Sequence, residues 1–447
     1  MSLADKIPFD EAVQRYSRAI GFRTLSTQEG IPDRSQFELL HEFLEQAFPL
    51  VHGSLRREVV SGLSLLYEWP GRDNDITPVM LTAHQDVVPA DEGSWRHPPF
   101  SGRIADGRVW GRGTIDYKLG LMGMLESCEA LLRSGFAPRR TLFLAFGHDE
   151  EIGGGDGAES MVQLLEKRGI RCAFVLDEGG YVQTFPWMSV PLATVGLAEK
   201  GYATVRLFSR GEQAHASVPP RRTTVGNVCR AVSALEDNQV PISLCEPVEI
   251  LLETCSGDSR DLGRLRDASA DYLPEAAELV SSWPGGNALV RTTAAPTVLR
   301  GSSKENTLPG LSSALVNFRT VPGQTSGDVL DHVKKVVSDI DVEVELIRDA
   351  SLSEPSEVSS RDAPEYEILL ESISRAFPEV GVSPSVFTAA TDSRKYHRIA
   401  DNVYRFEPVD LGKRCMGALH SVDESVAVSN YRAALTFYTE YMVGTLS

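Results

Sequence analysis

Between residues 9 and 193 the chain alternates segments of helical and strand period. Apolar positions three and four apart mark amphipathic helices at Phe9–Ile20 and Arg34–Ala47. Short apolar runs follow near Leu55–Val60, Leu63–Glu68 and Pro78–Ala83, and again at the start of residues 140–160 and 172–180, with an apolar helix at about Leu119–Ser134. Runs of this kind, too short for buried helices and interleaved with helical segments, predict an α/β fold with a mixed, mostly parallel sheet flanked by helices on both faces.

The pattern then changes. Lys200–Ser209 alternates like a half-exposed antiparallel strand and Thr224–Leu235 reads as a helix. Strands at Pro296–Gly301 and Ala314–Arg319, a helix at Ser326–Ile340 and a strand at Val342–Ile347 complete a β-α-β-β-α-β order, which is ferredoxin-like. Residues from about Glu246 to Asn287 are acidic and read as an irregular insertion with no assigned place. Ala350–Ser360 is a polar crossing, followed by a helix at Tyr366–Phe377, a short strand at Ser385–Thr388 and a terminal helix at Tyr431–Met442. No internal repeat is visible.

Composition narrows the function classes. A net charge of −18 over 447 residues argues against nucleic acid and anionic membrane surfaces as partners. No apolar run approaches the length of a membrane span, and the first twenty residues lack a basic region followed by an apolar core, so a cytoplasmic protein is expected. The six cysteines include no CxxC pair, which fits reduced thiols and disfavours a thiolate metal site.

Chemistry gathers where the apolar runs end. The run at 78–83 is followed by His84 and Asp86, the next by Asp149, Glu150 and Glu151, and the third by Asp177 and Glu178, while the Gly-rich segment 95–120 delivers Asp116 ahead of a helix. Buried strands have little reason to finish one after another in desolvated acids unless a cation gathers them. His-x-Asp at a strand end supplies a metal-binding imidazole and the carboxylate that orients it.

The ordered motifs AHQDVVP, GRGTIDYK, GHDEEIGG and LDEGG, followed by a late His, resemble the di-zinc metallopeptidase family of acetylornithine deacetylase, succinyl-diaminopimelate desuccinylase, aminoacylase and carboxypeptidase S, the last branch most closely. The resemblance runs from about Phe9 to the C-terminus. It implies two zinc ions per subunit: His84 and Asp177 on one, Glu151 and His420 on the other, and Asp116 bridging them. Glu150 would be the general base and Asp86 the residue that orients His84. Ser421 and Asp423 stand where the family usually has Gly and Asn, although His420 and Glu424 remain. Because His420 must meet ligands far earlier in the chain, the division expected is a catalytic domain at 1–196 and 350–447 interrupted by a lid and dimerisation domain at 197–349.

The same resemblance implies a homodimer through the lid, in which His215 supports the oxyanion in the other subunit's site. Asn306 and Arg319 would grip a substrate carboxylate, and Asp392 and Arg394 form a secondary pair of substrate-binding candidates. The expected activity is zinc-dependent hydrolysis of the amide bond of an N-acyl amino acid or small peptide with a free carboxylate, by a hydroxide shared between the metals. A strict dipeptidase or carboxypeptidase is the enzyme alternative, and a non-catalytic metal-binding protein the alternative from another class. Ser217 lacks a G-x-S-x-G elbow, and EIGGGDGAES lacks the P-loop lysine, so neither a serine hydrolase nor a phosphate loop is indicated. His41, His52, His97, His332 and His397 have no motif context.

Overall fold

A computed structural model describes residues 3–349, 351–413, 417 and 419–447. The chain divides into two compact units, one of Met1–Leu197, Ser359–Ser385 and Thr391–Ser447, the other of Ala198–Val358 and Val386–Ala390.

The first unit is built on a large mixed sheet. Its centre is four parallel strands lying side by side in the order Leu142–Gly147, Val79–His84, Cys172–Asp177 and Ala400–Arg405. Every residue of Val79–His84 and of Leu142–Gly147 is buried, as strands covered on both faces require. Parallel pairing is largely confined to this centre: Ser64–Trp69 and Arg56–Val60 extend one side antiparallel, and Leu192–Glu199 pairs antiparallel with Ala400–Arg405 on the other. The sheet is therefore mixed, with less parallel character at its flanks than the apolar runs suggested.

Helices cover both faces. Met161, Val162 and Leu165 of the helix Ala158–Lys167 pack with Met80, Phe143 and Val175 on one side. Strand alternation sends Phe174 to the other, where Tyr441 of the terminal helix Val428–Leu446 lies 5.5 Å from it, ring centre to ring centre. The terminal helix also packs on the helix Lys118–Arg133: the Tyr117 and Tyr438 hydroxyls are 2.7 Å apart, and a Cβ on Gly123 would fall 2.7 Å from the Tyr438 ring. Only glycine permits that approach.

The second unit contains a four-stranded antiparallel sheet in the order Thr293–Arg300, Leu311–Arg319, Ala203–Arg210, Glu343–Ile347. The helices Thr224–Asp237 and Ser326–Val336 bury Ala231, Leu235, Val329 and Val333 against Val205, Leu207, Val316 and Phe318, which is the ferredoxin-like arrangement. Two expectations need correction here. The stretch read as irregular folds into helices at Glu246–Ser256, Arg260–Ala268, Leu273–Ser281 and Gly286–Val290, with Val248, Leu251, Leu252, Ala276 and Val280 buried. Prolines in the first turns of two of them start helices that their acidic surfaces had obscured. The polar crossing expected to rejoin the first unit at 350 belongs instead to the second as far as Val358, because Tyr202 bridges to Ser353 and the Ser356 N–H donates to the Glu199 carbonyl at 3.1 Å.

Candidate metal centre

His84 ends a central strand, Glu178 directly follows the neighbouring strand, and Glu150 and Glu151 sit in a one-turn 3₁₀ segment just past the strand on the other side. These are carboxyl ends of parallel strands, where open α/β sheets place ligands. A small three-stranded sheet brings in the late residues: Ser425–Ala427 pairs with Arg108–Trp110, which pairs with Arg103–Ala105. That pairing carries His420 to the loop of Asp116 across some 300 residues of sequence.

Two sets of donor atoms result, each within 4.8 Å among themselves: His84, Asp116 and Glu178, and Asp116, Glu151 and His420. Asp116 belongs to both. One of its oxygens lies 2.9 Å from His84 Nε2 and the other 3.1 Å from His420 Nε2, while Glu151 approaches the same His420 nitrogen at 3.1 Å. Glu178 lies 3.5 Å from His84 Nε2. A third grouping places Glu150 within 4.8 Å of both His84 and Glu151.

Asp177, the ligand expected beside His84, is in neither set. Strand register pairs Leu81 with Leu176, so Thr82 stands level with Asp177, and its hydroxyl donates to the carboxylate at 2.5 Å. Thr391 Oγ1 lies 3.4 Å from the other oxygen. Asp177 is thus committed to hydroxyls, and Glu178, one residue beyond the strand, is the acid that reaches His84.

The expected orienting residue has more partners than its motif suggested. His84 Nδ1 meets the Asp86 carbonyl at 2.9 Å and its carboxylate at 3.4 Å. The same carboxylate accepts the backbone N–H groups of Glu150 and Glu151, both at 3.1 Å, and the Ser26 hydroxyl at 2.5 Å. Glu424 does comparable service opposite. It accepts from Arg112 at 2.6 Å and from the N–H of Ile115 at 2.7 Å, while Arg112 also donates to the His420 carbonyl at 3.1 Å. Arg112 and Glu424 are buried, and the arginine's part was not read from the motif that contains it. His420 and Asp423 both take left-handed backbone, φ 54 and 62. Asp adopts that region almost as readily as the Asn usual at this place, so the departure at 423 keeps the turn.

The electrostatics call for cations. Burial pushes Glu178 up to about 8, only partly offset by His84, and drives Glu150 well above the carboxylate range, with Glu178 adding to it. Burial likewise raises Glu151, with Asp116 adding to it. Burial opposes the charge on Asp116 too, yet contacts from His420 and His84 hold it below the usual range. Bonds to Asp116 and Glu151 lift His420 to about 10. Glu151 Oε1 is buried with no hydrogen-bond partner among the described residues. Imidazole and carboxylate donors with an orphaned oxygen, and no thiolate, fit a borderline divalent cation such as zinc in an open catalytic site. Behind them Glu407 is fully buried with neither carboxyl oxygen partnered among the described residues, and it has no sequence motif.

The remaining candidates divide between the units. Asp392 is bound to Lys395 Nζ at 2.7 Å and lies where a Cβ on Gly154 would fall, 1.8 Å away. It stands against the loop that follows Glu150 and Glu151. Arg394 is half-buried in the short helix Ser393–Tyr396, and its charge helps hold His397 low. In the second unit His215 is exposed, 2.7 Å from Ser217 Oγ. Its two-residue strand pairs with Thr307–Leu308, and the N–H of Ala216 donates to the Asn306 carbonyl at 3.0 Å, so His215 and Asn306 are neighbours. Arg319 lies over the Tyr202 ring at 4.5 Å and donates from Nε to Asn317 Oδ1 at 3.3 Å.

Residues 80–443 match the model of peptidase family M20/M25/M40. The chain is 37% identical over 448 residues to a Dictyostelium discoideum protein named probable carboxypeptidase S-like 2, covering 97% of this chain and 85% of that one. It is 36% identical over 440 residues to the N-fatty-acyl-amino acid synthase/hydrolase PM20D1 of Xenopus tropicalis, covering 96% of this chain and 85% of the relative. Among solved structures, the M20 family metallo-carboxypeptidase Sso-CP2 from Sulfolobus solfataricus superposes with a TM-score of 0.71 over 97% of this chain and 98% of that chain. At 18% identity that likeness bears on the fold alone. Given the match over most of its length, the chain belongs to peptidase family M20/M25/M40 and is a metal-dependent hydrolase of the metallopeptidase and amidohydrolase type.

Proposed function

We propose that the chain is a two-zinc hydrolase that cleaves the amide bond of N-acyl amino acids or small peptides bearing a free carboxylate. The observation that carries this reading is the pair of donor sets sharing Asp116, with Glu150 beside both. His84, Glu178 and Asp116 would hold one zinc, and Asp116, Glu151 and His420 the other. When bound, such a pair polarises a carbonyl oxygen and acidifies water. Glu150, adjacent to a ligand but outside both sets, takes the attacking water's proton as the C–O bond forms and the carbonyl electrons move onto its oxygen, then delivers that proton to the amine nitrogen as the carbonyl re-forms and the C–N bond breaks. Asp86 keeps His84 oriented and holds the backbone of Glu150 and Glu151 in place.

Carboxylate recognition falls to Arg319, whose planar fork suits a carboxylate and whose orientation is set by Asn317 and Tyr202, with Asn306 assisting. The names of the relatives favour N-acyl amino acids and C-terminal residues as substrates. A homodimer through the second unit, with His215 serving the partner's site, is supported by the edge strand Thr293–Arg300. Leu299 on it is 60% exposed, and a groove of about 300 Å³ separates it from the helix Thr224–Asp237. A cytoplasmic location remains part of the proposal.

The test is Glu150→Ala. Metal content should stay at the wild-type value while hydrolysis falls by about 10²–10⁴, the usual effect of losing an acid–base group. Full activity in that variant would remove Glu150 from the chemistry.

A further inference from the structure

Of the two acids in LDEGG, one reaches the metal-ligand cluster and the other has no assigned work. We propose that Asp177 is a positioning residue that keys the strand end presenting Glu178 to the turn Thr391–Ser393, where the chain returns from the second unit to the first. This rests on the two-metal reading, with Glu178 as a ligand.

Four observations place Asp177 in that role. Its two oxygens are divided between Thr82 on the neighbouring strand, at 2.5 Å, and Thr391, at 3.4 Å. Thr391 Oγ1 lies 2.8 Å from Ser393 Oγ, which accepts from Arg405 Nε at 2.7 Å, and Arg405 is fully buried at the end of the strand parallel to that of Asp177. The next residue along, Asp392, lies under Gly154, three residues past Glu151, and is held there by Lys395. Finally, residues 386–390 belong to the second unit and Thr391 is the first residue back in the other. One short turn therefore touches the strand ends that carry Glu178 and Glu151, one ligand from each metal set.

The test compares Asp177→Asn, Thr391→Val and Thr391→Ser with Glu178→Gln as control. Zinc affinity is read by chelator competition, stoichiometry by elemental analysis, and ligand geometry by the visible spectrum after cobalt loading. Asp177→Asn and Thr391→Val should each still bind two metals at saturation, with affinity weakened roughly 10–100-fold, as for other groups that orient ligands. Their cobalt spectra should change, and Thr391→Ser should restore both affinity and spectrum. Wild-type affinity and spectrum in Asp177→Asn would overturn the proposal, as would loss of one metal at saturation, which would make Asp177 itself a ligand. Undiminished binding in Glu178→Gln would instead overturn the two-metal reading beneath it.

Discussion

Asp86 holds more of the centre together than any ligand does. Its carbonyl meets His84 Nδ1, and its carboxylate, through two N–H groups, holds the loop carrying the base and a second ligand. Glu424 and Arg112 repeat the device on the Asp116 side, as a buried ion pair whose loss is expensive because one charge is left uncompensated. Glu424→Ala should therefore lower the unfolding free energy by about 3–5 kcal/mol. Urea denaturation would measure it, and a loss below 1 kcal/mol would show that Arg112 finds another partner. Titration offers a second check at this scale. Burial, with Arg405 and Arg394 nearby, lowers His397 from 6.5 to about 4. The unfolded chain then binds more protons between those values, so this group's contribution to stability is present above the unfolded pKa and is lost as pH falls toward 4. The unfolding free energy of the native chain, from urea denaturation, should drop more steeply over that window than that of His397→Asn, by at most roughly 1.4 kcal/mol per pH unit. Parallel curves would exclude His397 as the source. Which residues take part in the centre was legible where a motif names them: His84, Asp86, Asp116, Glu150, Glu151 and His420. Which of Asp177 and Glu178 lies against His84 was not, because both stand where the strand's alternation stops, and it is the register with Thr82 that turns Asp177 to a hydroxyl.

At the scale of elements, periodicity was a sound guide wherever a segment was long enough to express it. The helices Phe9–Ile20 and Arg34–Ala47 run over the residues whose spacing marks them. The inserted helices were missed because 5 to 11 residues give only about one to three turns of apolar spacing, too few to stand out from an acidic background. Helix docking carries its own prediction. Arg15 on the first helix clasps Glu126 on the buried helix Lys118–Arg133 with two bonds of 2.7 and 2.8 Å, and burial still raises Glu126 despite that clasp. Arg15→Ala should destabilise by about 3 kcal/mol, whereas Arg15→Met combined with Glu126→Leu should lie near the native value, since a buried pair contributes little beyond offsetting its own desolvation. Thermal unfolding of the three chains would show it. A double variant as unstable as the single would mean that the pair contributes net stability.

For the whole molecule, the acidic balance makes substrate charge the informative variable. A chain of net charge −18 with a carboxylate-rich centre repels an anionic substrate unless a dedicated cation receives it. If Arg319 is that cation, amidating the substrate carboxylate should cost roughly 2–5 kcal/mol in kcat/KM, and Arg319→Ala should erase most of the difference. Equal hydrolysis of free and blocked substrates would replace this reading with a simple amidase. The division into two units was foreshadowed by the change from α/β alternation to antiparallel strands. The return point was not, because the crossing is polar and its allegiance is set by backbone bonds to Tyr202 and Glu199 that leave no trace in sequence. The most direct test of the central claim is a zinc titration of the metal-free chain, followed by calorimetry and elemental analysis. Two zincs per chain are expected in the native protein, falling to one or none in Asp116→Ala together with its hydrolytic activity. Unchanged stoichiometry in Asp116→Ala, or a single zinc in the fully active native chain, would contradict a centre built on one shared carboxylate.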